Sequence, residues 1–146
     1  MEQRFGEMVA APHSTLWEGW EYTGGKGMKY KSGNGTYNHA WSGGGLTILS
    51  QYIAGIEPIT PKFEQFRVSP NLATLTRVKS IVPTDNGNIV LSAERKECRL
   101  EMTLTVPAST VAKVIVPQGY TTIACNGNEG VELTLTQGEY FITATK

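Results

Sequence analysis

Arg99-Leu100-Glu101-Met102-Thr103-Leu104-Thr105-Val106 places an apolar side chain at every second position. Successive side chains of an extended chain point to opposite faces. Leu100, Met102, Leu104 and Val106 therefore share one face, while Glu101, Thr103 and Thr105 share the other. A strand with one dry and one wet face belongs in an antiparallel sheet that packs on one side only. Outward from this stretch the pattern repeats. Thr76–Val82 (TRVKSIV) and Asn88–Arg95 (NIVLSAER) flank Pro83-Thr84-Asp85-Asn86-Gly87, whose Asn-Gly pair signals a hairpin turn. Val111–Val116, Thr122–Cys125, Val131–Thr136 and Tyr140–Ala144 follow, with turn residues at Pro117-Gln118-Gly119, Asn126-Gly127-Asn128 and Gln137-Gly138. About seven or eight short strands at this spacing, with no βαβ alternation, predict a mainly β chain built as an antiparallel β-sandwich.

The residues ahead of these strands have a different character. Trp17, Trp20 and Trp41, both histidines and 11 of the 16 glycines precede Pro58. Glu2–Ala10 is predicted as a short helix with Phe5, Met8 and Val9 on one face and Pro12 just beyond its end. A second helix is predicted over Gly44–Ala54. Leu46, Leu49 and Ile53 would line one face, with Ser42 as N-cap and Gly55 at the residue following the C-cap. Between them, Ser14–Trp41 reads as one long aromatic and glycine-rich connection, and loops of that length in compact domains are usually functional or disordered. The chain accordingly divides into a helical segment, 1–60, and a β-sandwich domain, 61–146.

Composition sets broad bounds. The 13 basic and 13 acidic residues cancel, and no basic stripe suited to nucleic acid stands out. Asp85 is the sole aspartate, which thins the supply of short carboxylates used to bind calcium. Cys98 and Cys125 fit no zinc spacing, with only His13 and His39 to assist. They can form one bridge or remain as two buried thiols. No metal or other cofactor is expected. No apolar run is long enough to span a bilayer, and the first residues lack a signal-peptide pattern. The compartment stays undetermined.

Chemistry concentrates in Thr15-Leu16-Trp17-Glu18-Gly19-Trp20 and Tyr37-Asn38-His39-Ala40-Trp41-Ser42-Gly43. A carboxylate between two indoles sits in partly apolar surroundings, where desolvation favours its protonated form and makes it a better base. Aromatic faces suit the C–H faces of a sugar ring, and Asn38 and His39 supply directional hydrogen bonds to hydroxyls. Gly24, Gly25, Gly27, Gly33 and Gly35 would let the intervening chain bend tightly around a ligand. The same residues also admit plainer roles. Glu18 can be a solvated or capping glutamate, the tryptophans core residues, and His39 a structural hydrogen-bonding group. The glycines lack the strand-then-helix context and Lys-Ser/Thr ending of a phosphate loop.

The order of motifs resembles the end of the catalytic domain and the following C-terminal domain of the bacterial-type α-L-rhamnosidase family. The resemblance is carried by Arg4-Phe5-Gly6-Glu7-Met8, the two tryptophan motifs, Leu49-Ser50-Gln51-Tyr52-Ile53-Ala54-Gly55-Ile56, Phe66-Arg67-Val68-Ser69-Pro70 and Val106-Pro107-Ala108-Ser109-Thr110. It spans essentially the whole chain, and the tryptophan motifs are its specific part. It implies a remnant of an (α/α)6 barrel joined to a β-sandwich, from an enzyme that hydrolyses terminal α-L-rhamnosyl groups with inversion. Glu18 would be the general base. His39 would contact substrate, with Asn38 nearby, and Trp17, Trp20 and Trp41 would wall the sugar pocket. Gly45 stands where many relatives are expected to carry proline.

Inversion requires a second carboxyl group to protonate the leaving oxygen. The resemblance places that general acid upstream of the helices present here, and Glu2 and Glu7 have no claim to the role. General acid assistance is worth about 10²–10⁴ in rate, so the isolated chain is expected to be inactive. The expected partner is a rhamnose-containing glycoside of the parent enzyme, with neither nucleic acid nor membrane. Self-association through exposed barrel-helix faces is also expected. The alternative is a non-catalytic carbohydrate-binding or structural β-sandwich module.

Overall fold

The computed structural model describes residues 2–12, 15–22, 28–30 and 36–146. The chain forms two compact units, Met1–Ile48 and Leu49–Lys146.

In the first unit, helix α1 spans Glu2–Ala10, as expected from its periodicity. Met8 is buried, but Val9 is 75% exposed and does not share its face. Adjacent helical residues are about 100° apart, so a one-residue step carries Val9 off the packed side. The connection predicted over Ser14–Trp41 is not featureless. Strands β1 (Trp20–Tyr22) and β2 (Met28–Tyr30) pair antiparallel within it, with Trp20 opposite Tyr30. Gly24, Gly25, Gly27, Gly33, Gly35 and His13 lie outside the described residues.

The single helix expected over Gly44–Ala54 is replaced by turns of three pitches. Ala40–Gly43 is a 3₁₀ turn, Gly44–Ile48 is helix α2, and Leu49–Ile53 is a π turn in the second unit. Ser42 therefore lies inside the 3₁₀ turn instead of capping a helix. The Ala54 N–H donates to the Leu49 carbonyl at 2.9 Å, the five-residue spacing of a π turn. Gly45 is buried, and a Cβ there would come within 3.0 Å of the Phe5 ring. Glycine thus admits the aromatic ring close to the start of α2. Leu46 on this helix is 71% exposed.

The second unit is a β-sandwich of two sheets. Strands β3 (Ile56–Pro58) and β4 (Gln65–Val68) open it, and the hairpin β5 (Arg77–Thr84) and β6 (Gly87–Arg95) follows. The remaining strands are β7 (Arg99–Val106), β8 (Val111–Ile115), β9 (Thr122–Cys125), β10 (Asn128–Gly130), β11 (Glu132–Leu135) and β12 (Gly138–Thr145). One sheet is fully antiparallel in the order β10-β9-β12-β7-β6-β5, and the other runs β11-β8-β4-β3. The β-sandwich expected from the sequence is the observed fold, and one pair within it departs from antiparallel order. β4 runs parallel to β8, with Phe66 opposite Ala112. The expected strand count is also too low, because β3, β4 and β10 were not anticipated as strands.

The alternation in Arg99–Val106 holds residue by residue. Leu100, Met102, Leu104 and Val106 are at most 2% exposed, and they join Phe66, Val68, Leu91, Val114 and Ile142 in a core shared by both sheets. Fully burying one such side chain stabilises the fold by roughly 1.5–3 kcal/mol. Two turn signals show their chemistry directly. Asn126 and Gly127 both have positive φ between the paired residues Cys125 and Asn128, the geometry of a type I′ hairpin. Gly55, at φ +68°, follows the π turn, and a Cβ there would sit 2.0 Å from the Ser69 carbonyl oxygen. The Val106-Pro107-Ala108-Ser109-Thr110 motif makes the β7–β8 turn. Buried Thr110 satisfies its hydroxyl by donating to the Pro107 carbonyl at 2.8 Å.

Cys98 and Cys125 are free. Only one of them is a buried thiol: Cys98 is exposed on the β6–β7 turn. Cys125 lies in the core, where burial pushes its thiol pKa up. Among the described residues, no helix is long and apolar enough to cross a membrane.

Candidate active site

The two tryptophan motifs are brought together by main-chain hydrogen bonds in the first unit. The Glu18 N–H donates to the Thr36 carbonyl at 2.9 Å, and the His39 N–H donates to the Leu16 carbonyl at 2.6 Å. The Thr15 hydroxyl donates to the Tyr37 carbonyl, and the Thr36 hydroxyl to the Asn38 carbonyl at 3.0 Å. Residues 15–18 and 36–39 are thereby tied into a short ribbon, although about twenty positions separate them in sequence. Buried Trp17 packs edge-on against Tyr37, with ring centroids 6.1 Å apart. Threonines and aromatics suit such a ribbon, being stiff or planar side chains that extended backbone accommodates well.

Glu18 is the carboxylate of this ribbon. Its Oε2 accepts from the Thr36 backbone N–H at 2.7 Å, and its Oε1 lies 3.9 Å from His39 Nε2. The side chains are part-exposed, 27% for Glu18 and 37% for His39. One carboxylate oxygen is therefore held by a fixed donor while the other faces an imidazole across a gap.

Of the residues singled out from sequence, the structure thus brings Trp17, Glu18, Asn38 and His39 together. Asn38 is exposed and contributes its carbonyl to the ribbon. Trp20 begins β1 and Trp41 lies in the 3₁₀ turn, but their side chains lie outside the described set. Thr36 was missed. It contributes through its backbone N–H, which every residue but proline carries, so residue type gave no signal.

A surface depression of about 540 Å³ lies instead at the β6–β7 turn of the sandwich, lined by Arg95, Lys96, Glu97, Cys98 and Arg99. Its cations are already engaged. Arg95 donates to the Ala73 carbonyl, Lys96 pairs with Glu94 and Arg99 with Glu101. Size alone does not make it the chemical centre.

Residues 55–130 match the bacterial alpha-L-rhamnosidase C-terminal domain. This chain belongs to that family. The match begins at Gly55 and covers sandwich strands, so membership rests on the second unit. In an α-L-rhamnosidase of Dictyoglumus thermophilum, the likeness covers 97% of this chain and 17% of the other, with a TM-score of 0.76 and 21% identity. A Streptomyces avermitilis α-L-rhamnosidase complexed with L-rhamnose gives 88% and 13%, with a TM-score of 0.69 and 20% identity. Native α-L-rhamnosidase of Aspergillus terreus gives 95% and 16%, with a TM-score of 0.71 and 19% identity. These likenesses establish a shared fold, and this rhamnosidase C-terminal domain chain spans less than a fifth of each solved relative. No curated protein matches the sequence.

Proposed function

We propose that this chain is the C-terminal part of an inverting glycoside hydrolase that removes terminal α-L-rhamnose from glycosides, with Glu18 as its general base. The helical and ribbon segment ahead of the sandwich is then the end of the catalytic barrel. The carrying observation is the Glu18 carboxylate, fixed through Oε2 by the Thr36 N–H and facing His39 through Oε1. The fold likeness to three α-L-rhamnosidases, covering 88–97% of this chain, supports extending the reading beyond the sandwich.

In this reading Glu18 takes a proton from water as that water attacks the anomeric carbon. A carboxylic acid on other polypeptide protonates the leaving oxygen. Inverting enzymes hold two such carboxyl groups roughly 6.5–9.5 Å apart, leaving room for the water. Trp17, Trp20, Asn38, His39 and Trp41 would hold the rhamnosyl group.

The test is hydrolysis of an aryl α-L-rhamnoside by the 146-residue chain and by the glycosidase carrying this segment. The chain is expected to give no turnover. Glu18→Gln in the glycosidase should lower kcat by about 10²–10⁴. Undiminished activity in that variant would remove Glu18 from the mechanism.

A second reading, a non-catalytic carbohydrate-binding module, is favoured by one observation. Phe141 on β12 is 57% exposed, beside Thr103, Thr105 and Glu139 in a shallow depression of about 390 Å³. A flat aromatic ring among hydroxyls suits a sugar's C–H face. Titration with L-rhamnose, followed by NMR at Phe141, distinguishes the readings, because saturable shifts there require no Glu18.

A further inference from the structure

We infer that the outer face of the six-stranded sheet seats one uncharged pyranosyl unit, flat on Phe141 and rimmed by Thr103, Thr105 and Glu139. Glu139 makes the seat selective, because its carboxylate repels acidic sugars. The inference rests on the carbohydrate-binding reading of the sandwich and names the sugar chemistry that face would take. Strand alternation builds the seat. Ile142 and Leu104 point into the core, so their neighbours Phe141, Thr103 and Thr105 stand on the outer face. The register sets Phe141 directly opposite Thr103, and Glu139 directly opposite Thr105. Side chains paired across antiparallel strands stand about 4.5–5.5 Å apart, and every second residue along a strand about 7 Å. The four side chains therefore mark the corners of a rectangle on the scale of a single sugar ring.

Each corner offers what a sugar needs. Phe141 keeps an aromatic face in water while the next residue, Ile142, is fully buried. Covering that face with ring C–H groups removes apolar surface from water on both partners. Among the described residues, the hydroxyls of Thr103 and Thr105 and the Glu139 carboxylate have no side-chain partner within the fold. A hydroxyl donates and accepts, a carboxylate accepts, and sugar hydroxyls can answer both. The depression these groups line also takes in Leu104 and Tyr140, and its volume of about 390 Å³ suits one ring. At the β6–β7 turn, by contrast, Arg95, Lys96 and Arg99 are already engaged by Ala73, Glu94 and Glu101.

Charge decides the class of sugar. Among the described residues, Glu139 is the one charged side chain lining the depression. Beyond Thr103 on β7, Glu101 is neutralised by Arg99 at 2.6 Å. Lys79 lines up with Thr103 only across Ser92, two strands away and about 10 Å from β7. A uronate here would meet a carboxylate with no cation set against it. Two unit charges about 5 Å apart in water repel enough to weaken binding roughly four-fold, and salt screens the effect. An uncharged ring meets no such repulsion, and Glu139 then serves it as a hydrogen-bond acceptor.

The test titrates the 146-residue chain with methyl β-glucoside and methyl β-glucuronide, which differ only in a hydroxymethyl against a carboxylate group. NMR at the Phe141 ring and the Thr103 and Thr105 methyls should show saturable shifts with the glucoside. The glucuronide should bind roughly four-fold more weakly at low salt. Phe141→Ala should abolish glucoside binding, and Glu139→Gln should bring the glucuronide level with the glucoside. Both side chains are exposed, so neither substitution opens the core. Thr105→Val, which keeps the side chain's shape and removes its hydroxyl, should weaken the glucoside. The two levels fail separately. A glucuronide that binds the unaltered chain as tightly as the glucoside, or a difference that survives Glu139→Gln, overturns the selectivity and leaves a carbohydrate seat standing. Absence of saturable shifts at Phe141 with either sugar overturns the seat, and the carbohydrate-binding reading with it.

Discussion

In Leu49–Lys146, Phe66, Val68, Leu91, Leu104 and Ile142 are essentially inaccessible. In Met1–Ile48, the buried hydrophobic residues among those described are Met8 and Trp17, while Val9 and Leu46 stand 75% and 71% exposed. One unit closes a core of its own from two sheet faces. The other holds its candidate chemistry on main-chain hydrogen bonds and leaves apolar helix surface open. The sandwich can therefore be stable for reasons unconnected with catalysis, while the unit bearing Glu18 buries few hydrophobic side chains among its described residues. This difference fits the proposal that the sandwich is a domain and the first unit the edge of a larger one.

The comparison is most directly broken in the sandwich core. Phe66→Ala should cost about 3–5 kcal/mol in urea unfolding, because Phe66 is inaccessible and its strand joins the parallel β4–β8 pair. A loss below 1 kcal/mol would mean that the two sheets do not share a tight core. In the first unit the informative change is on the surface. Exposed apolar patches favour association, so sedimentation of the chain should show self-association that weakens in Val9→Glu/Leu46→Glu. A clean monomer across a wide concentration range contradicts this.

Thiol chemistry sharpens the contrast at smaller scale. Cys98 is exposed on a turn, whereas Cys125 is buried and its pKa is raised by that burial. The thiolate is the reactive form. Iodoacetamide should label Cys98 in the folded chain and reach Cys125 only after denaturation. Equal labelling of both in the native state would show that β9 is not packed as described.

What was legible in the sequence follows the same division. Leu100, Met102, Leu104 and Val106 could be assigned because period two is a local property, and Asn126-Gly127 because positive φ is a local demand. The parallel β4–β8 pairing was not legible. It joins Phe66 to Ala112 across more than forty residues, and neither strand's composition specifies its partner. The Gly44–Ala54 periodicity showed that the chain coils but not that its pitch changes from α to π, since apolar spacing barely separates 3₁₀, α and π turns over so few residues. At the candidate site, Glu18 and His39 stood out by residue type. Their spacing and the Thr36 donor depend on a ribbon formed between distant segments.

The smallest effect tests the charged outer surface of the larger sheet. Glu94 on β6 lies opposite Arg77 on β5 and Glu101 on β7. Like charges on neighbouring strands repel, yet the Glu94 carboxyl is held below the ordinary glutamate range. The hydrogen bond from Lys96, whose Nζ is 2.8 Å away, is the main cause, and the charges of Lys96 and Arg77 add to it. Attraction therefore outweighs repulsion. A carboxyl whose folded-state pKa is depressed stabilises the fold above its unfolded pKa, near 4.3 for glutamate. That contribution disappears as pH falls through the lowered value. Glu94→Gln should consequently lower the Tm slightly at pH 7, and the gap should shrink in high salt because the pair is solvent-exposed. At a pH below the lowered value both proteins carry a neutral group there and should melt alike. A gap that persists into acid would place the effect in packing or backbone instead of charge.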